Sequence, residues 1–280
     1  MQPTARTITI VAMLITIGGL IYIRQWIFTT HWFSSVFGGN ESILAAQQVM
    51  LQVPLVFCVV ALLFFAIPLR ARHAGGSAQL APRNLLTFAS RPWLVTIAAI
   101  TAVIVLIAIL AGLASRPDEQ GRHVLYYLSL TGDDTASTWI YGWWFSVPGL
   151  VLIAAIIAIA LFDLAVISRP SFGADSQGDA AIRRARSRNV LAVTSGGLIL
   201  YLGAIMSSLA GTWINRFSTE VANAGTDVQF DAAVTTFAAM ARVFDAAGYL
   251  AVVIGFAIWW SVLLSVAFIR AQRTGVPLPR

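Results

Sequence analysis

The sequence predicts an all-α, polytopic membrane protein. It reads as a single integral membrane domain over residues 1–280, a bundle of six transmembrane helices forming three outward-pointing hairpins. Three observations carry that reading. The chain is 58% hydrophobic and only 11% charged, where soluble domains hold roughly 25% charged residues. Its mean hydropathy is +0.80. Apolar segments at about 7–26, 49–69, 93–114, 141–167, 190–213 and 248–269 approach or exceed the roughly 20 residues that cross a hydrocarbon core.

The first segment is free of charge only from Thr7 to Tyr22. Ile23 and Trp26 extend it when Arg24 snorkels to the interface. No small-residue cleavage site follows a short apolar core, so a retained helix is expected rather than a removed signal. The second opens on "AAQQVMLQVPLVF", in which Gln47, Gln48 and Gln52 precede Pro54. Gln48 and Gln52 are four apart and share one helix face. "SRP" recurs at Ser90–Pro92, Ser115–Pro117 and Ser168–Pro170. Each instance reads as a helix boundary, with arginine at the headgroups and proline starting or stopping the helix.

The fourth segment carries Pro148 near its outer end and Asp163 about one turn from its inner end. Asp163 is expected to pair with Arg169 or with an arginine of a neighbouring loop. The fifth carries "GGLILYL", Gly196–Leu202, an echo of "GGLIYI", Gly18–Ile23; small residues let membrane helices approach closely. Ahead of the sixth, Phe230, Phe237 and Phe244 recur every seven residues. That period predicts an amphipathic outer helix running through Gly248 into the last span. Trp259 and Trp260 lie midway down that span, where an indole N–H finds no water. They are expected to pack on neighbouring helices or on a bound lipid or cofactor.

Orientation follows from the arginines. All 18 basic residues are arginine, and thirteen fall in one set of alternate loops: Arg6, Arg70, Arg72, Arg83, Arg91, Arg169, Arg183, Arg184, Arg186, Arg188, Arg270, Arg273 and Arg280. Arg24, Arg116, Arg122, Arg216 and Arg242 make up the other set. The positive-inside rule puts the larger set, and both termini, in the cytoplasm. Tryptophans and tyrosines such as Trp26, Trp32, Tyr126, Tyr127 and Trp139 then form an outer interfacial belt. Arginine-only usage points to a high-GC bacterium, and hence to its cytoplasmic (inner) membrane.

Several chemistries are excluded. With no lysine, no Schiff base to retinal or pyridoxal forms and no P-loop is complete. One cysteine, Cys58, supports neither an internal disulfide nor a thiolate metal cluster. The +6 net charge does not signal nucleic acid, because the arginines sit in short loops between apolar spans. Asp133 and Asp134 in "TGDDTASTW" read as a helix cap. His31 and His123 lie in separate outer loops without metal-ligand spacing, and His73 reads as a headgroup contact. Neither a metal nor a cofactor is expected.

The expected function is therefore non-enzymatic: a permease-like transport component for a small solute or lipid. In layout, the outer helix between fifth and sixth spans resembles that of exporter-type ABC permeases. The alternative is an accessory or scaffold subunit of a respiratory, photosynthetic or envelope-building complex. A third reading is an outer-face enzyme using Asp133, Asp134, His31 and His123. The candidate ligand or transport path is Gln48, Gln52, Pro54, Pro148, Trp259 and Trp260, high in the bundle on the outer side. Arg24 and Asp245 are expected to pair between the first and sixth helices. Arg183, Arg184, Arg186 and Arg188 are expected to dock a cytoplasmic partner or lie on lipid headgroups. Membrane lipids and further membrane or cytoplasmic subunits are the expected partners.

Overall fold

A backbone in hydrocarbon must satisfy its own N–H and C=O groups, so long apolar runs become helices. The computed structural model describes residues 10–11, 13–21, 40–66, 88–129, 135–168, 176–214 and 238–273. Among these, the helices are α1 (10–21, residue 12 apart), α2 (Asn40–Ala66), α3 (Arg91–Ala114), α4 (Trp143–Ser168), α5 (Ser176–Ile214) and α6 (Ala238–Arg273). Strands β1 (Arg116–Pro117), β2 (His123–Ser129) and β3 (Thr135–Trp139) lie between α3 and α4. Helices α2 to α6, five in all, are long and apolar enough to cross a membrane. The chain is a multi-pass helical membrane protein. The rest of the expected first span lies outside the described residues.

Three helices run beyond the apolar segments that announced them. α2 starts at Asn40, not at Val49, so all three glutamines lie inside it. α5 starts at Ser176, not at Val190, so Arg183, Arg184, Arg186 and Arg188 lie inside the fifth helix. α6 starts at Ala238 and takes in Phe244, which packs on the core. Phe230 and Phe237 lie outside the described residues. The physical reason is common to all three. Hydropathy marks where hydrocarbon ends, whereas alanine, arginine and glutamine continue a helix into the headgroups at little cost.

The connection between α3 and α4 is not a plain loop. β1, β2 and β3 form an antiparallel sheet, with Leu125 opposite Trp139 and Tyr127 opposite Ser137. Val, Leu and Tyr in "HVLYYLS" suit a half-buried pleated surface. Thr212 of α5 donates its hydroxyl to the Trp139 carbonyl, 2.8 Å, and ties the sheet to the bundle.

α5 is the centre. It packs against α2, α3, α4 and α6. Of its most apolar stretch 72% is buried, against 17% for α3. Lipid solvates apolar side chains as well as a protein interior does. The polar positions therefore go inside, and α3, the peripheral helix, shows a narrow buried stripe of Ile104, Ala108 and Ala111. Buried Thr194 and Ser195 of α5 satisfy their hydroxyls on the carbonyls of Val190 and Leu191.

The α5–α6 contact rests on glycine. A Cβ on Gly203 would stand 2.9 Å from the Gly248 carbonyl oxygen, and one on Gly248 3.0 Å from that of Gly203. Seven residues along each helix, Gly196 and Gly255 repeat the pairing in antiparallel register, at 3.2 Å and 3.0 Å. A seven-residue spacing keeps one seam facing the partner helix. The same register puts Ala210 opposite Ala241, both buried. Backbones this close gain dispersion contacts that replace the missing hydrophobic force. We predict that Gly203→Leu or Gly255→Leu loses about 1–3 kcal/mol or more by overpacking. Gly211→Ala, where nothing lies within 4 Å of the new methyl, should be neutral or gain up to about 1 kcal/mol. Unfolding of the purified variants in detergent measures both.

Candidate functional site

For orientation, one end of the bundle carries the sheet and the other carries Arg183 to Arg188. In the sheet half, α1, α2, α5 and α6 enclose a cavity of about 330 Å³. Its wall is mostly apolar, including Leu20, Leu51, Val252 and Phe256, and its polar side chains are Gln47, Ser207 and Ser208. Small residues on α5 make the room. Pro54 has no N–H for the Met50 carbonyl, and both residues line the space. Gln47 Nε2 donates to Ser208 Oγ at 3.3 Å, crossing from α2 to α5.

Of the glutamines singled out by sequence, Gln52 serves a different purpose. Its Nε2 donates to the Phe145 carbonyl of α4, 3.0 Å. The Tyr201 hydroxyl is its other neighbour, and that hydroxyl is 2.7 Å from Tyr141 Oη. Pro148 explains why α4 is open here. It withholds the N–H that Trp144 would accept, and the next carbonyl receives the amide. Gly149 completes the joint, because the Tyr201 hydroxyl fills the space a Cβ would take. Gln48 is half-buried in α2 and is not on the cavity wall. Trp259 is fully buried and donates its indole N–H to Val193 O at 3.0 Å, whereas Trp260 is 46% exposed on the outside of α6. The structure thus brings Pro54 to a cavity with Gln47, and sets Gln52 and Pro148 into an adjoining α2–α4–α5 joint.

At the arginine end the four arginines divide. Arg183 donates to the Ile167 carbonyl in the last turn of α4, and its guanidinium lies 6.0 Å from the Phe88 ring centre. Arg186 donates to the Phe65 carbonyl in the last turn of α2, 2.9 Å. Among the described residues these carbonyls, in the last turns of α4 and α2, have no intrahelical donor, and a cation suits the negative end of a helix dipole. Arg184 and Arg188 are exposed. A second cavity of about 470 Å³ opens between α3, α5 and α6, with Trp93, Arg188, Asn189, Ser261 and Ser265 on its wall. Asp245 is exposed on α6; Arg24, its expected partner, lies outside the described residues, as do Asp133, Asp134 and His31. Among the described residues no group of histidine, cysteine and carboxylate side chains could hold a metal ion.

The sheet end is closed by a small polar lock. Asp118 accepts from the Gln120 N–H at 2.9 Å and the Arg122 N–H at 2.8 Å, and pairs with the Arg122 guanidinium at 2.8 Å. Arg122 also lies 5.8 Å from the Trp144 ring centre, a cation–π distance. Burial raises the Asp118 carboxyl, but the hydrogen bonds from Arg122 and Gln120 and the Arg122 charge together hold it below its ordinary value. A carboxylate lowered by folding stabilises above its unfolded value, and that stabilisation is lost as pH falls through the folded one. Asp118→Asn should therefore lower the melting temperature near neutral pH, and the two curves should converge in acid.

Sequence reasoning named Gln47 but left it off the candidate path, and it missed Tyr141, Tyr201, Ser207 and Ser208. A signal existed for two of them: Tyr201 and Ser208 are seven apart on the fifth segment and share a face. Comparison with family models, with curated proteins and with solved structures returned no match.

Proposed function

We propose that this protein is a non-enzymatic, permease-like component of a transport system for a small apolar solute or a lipid chain. In this reading it sits in a bacterial inner membrane with the arginine end in the cytoplasm, six spans, and the sheet outside. One observation carries it: the cavity of about 330 Å³ between α1, α2, α5 and α6. Ligand sites are concave, mostly apolar, and oriented by a few polar groups. Gln47, Ser207 and Ser208 supply those groups here. Around them, Gln52, Tyr141 and Tyr201 hold α2, α4 and α5 in place, so the wall has a fixed frame. The apolar lining favours an alkyl or aromatic ligand body with one polar head, over a sugar or an ion.

A second reading, an accessory subunit of a larger membrane complex, is favoured by α3, whose central stretch is only 17% buried. Native purification separates the two, since a subunit would co-elute with its complex.

The cavity is tested by filling it. Ala204 lies on its wall, and Ala204→Trp should occupy the space. Wild-type protein extracted into lipid nanodiscs should retain a small apolar molecule or a tightly held lipid, detected by mass spectrometry of the purified sample. The variant should lose at least most of it. Equal retention by a correctly folded Ala204→Trp protein would remove the cavity as the ligand site.

A further inference from the structure

Asp163 is 1% exposed, within α4, and neither carboxylate oxygen has a hydrogen-bond partner among the described residues. An unpaired buried carboxylate is among the costliest groups in a protein, and more so in a membrane, where such residues mark functional sites. Its position relative to α5 follows from two contacts. Tyr201 lies on Gly149, and Arg183 on Ile167. The two contacts are 18 residues apart on both helices, so the antiparallel register is constant between them. One turn inward from the Arg183 contact, the same register sets Ser187 opposite Asp163. Ser187 is fully buried, and its hydroxyl is also without a partner.

Arg186, the neighbouring cation, acts on Asp163 electrostatically. Among the described residues it makes no ion pair with it, and gives its Nη2 to Phe65 O at 2.9 Å. Among the described residues the surroundings hold little else that is charged; Arg169, the other expected partner of Asp163, lies outside them. Asp163 is the one ionisable residue of α4. α2 brings no charged side chain between Leu44 and Ala66, α3 brings only exposed Arg91, and β2 brings His123 at the opposite end. α5 brings Arg183, bonded to Ile167, and Arg186. A guanidinium beside the carboxyl disfavours a bound metal cation, while burial without a hydrogen-bond partner disfavours the bare carboxylate and so favours the proton as the ligand.

We propose that Asp163 is a proton-binding site, and that loss of its proton transfers Arg186 from the Phe65 carbonyl to the Asp163 carboxylate. In this proposal the carboxyl carries its proton in the described conformation, where neither Asp163 nor Ser187 has a hydrogen-bond partner. On ionisation the carboxyl O–H bond breaks, the proton goes to water at the arginine end, and the electron pair stays on Asp163. The negative carboxylate then competes with Phe65 O for the guanidinium, since it adds the attraction between two opposite charges to a hydrogen bond that the neutral carbonyl accepts without it. The C-terminal end of α2 loses its cap, and α5 is joined to α4 instead. Protonation thereby sets which helix the centre of the bundle holds at this end. The proposal does not rest on the transport reading.

Infrared pH-difference spectra of the protein in nanodiscs test it. The wild type should show the carbonyl stretch of a protonated, buried carboxyl near neutral pH, vanishing in alkali, and Asp163→Asn should lack it at every pH. Absence of the band from the wild type near neutral pH would show an ordinary buried ion pair and overturn the proton site. Arg186→Gln removes the competing cation, so the midpoint of the band should rise by at least about one pH unit, and Arg186→Lys should restore most of the shift. An unchanged midpoint in Arg186→Gln would overturn the transfer of Arg186.

Discussion

The bundle depends on the close approach of α5 to α6 at Gly196, Gly203, Gly248 and Gly255. In water, burying large apolar side chains drives helices together. In lipid that drive is absent, and association rests on packing and on polar bonds between helices. The glycine seam supplies the packing on one side of α5. Polar joints supply the rest: Gln52 to Phe145 O, Tyr201 to Tyr141, and Arg186 to Phe65 O. α5 can be central because it is small where α6 meets it and polar where α2 and α4 meet it. The same small residues, Ala204, Ser207 and Ser208, leave the cavity beside the seam. Packing and candidate site therefore share one cause.

Both ends of the bundle are finished by arginine, in different ways. At one end Arg183 and Arg186 donate to carbonyls in the last turns of α4 and α2, which have no other donor among the described residues. At the other, Arg122 joins Asp118 to the Trp144 ring and fixes the sheet. Arginine suits these positions because its planar fork serves a carbonyl, a carboxylate or a ring face while keeping its charge. Arg184 and Arg188 remain exposed and available to headgroups.

The helical class was legible because apolar length is a strong signal, and α3 and α4 begin and end within about two residues of the apolar segments. The start of α2 was not, because Asn40 to Gln48 carries no hydropathy signal although its residues form helix readily. The sheet was missed because, of the β2 residues, Tyr126 and Tyr127 were read only as part of an aromatic belt and the Val and Leu beside them were not read. Of the prolines on the expected path, Pro54 lines the cavity and Pro148 lies in the joint beside it. Which glutamine meets a cavity could not be read, since Gln47, Gln48 and Gln52 differ by rotations of one helix whose neighbours hydropathy does not name. The arginines at 183 and 186 were likewise indistinguishable from 184 and 188 until α4 was placed beside α5.

The most direct test of this account is a disulfide across the seam. In a Cys58→Ala background, Ala210→Cys with Ala241→Cys should cross-link on mild oxidation in membranes, because the glycine register brings two Cα atoms within disulfide reach. Ala210→Cys with Ala246→Cys, where Ala246 is exposed, should not. Cross-linking of the second pair instead of the first would contradict the α5–α6 register, and with it the placement of α5 at the centre.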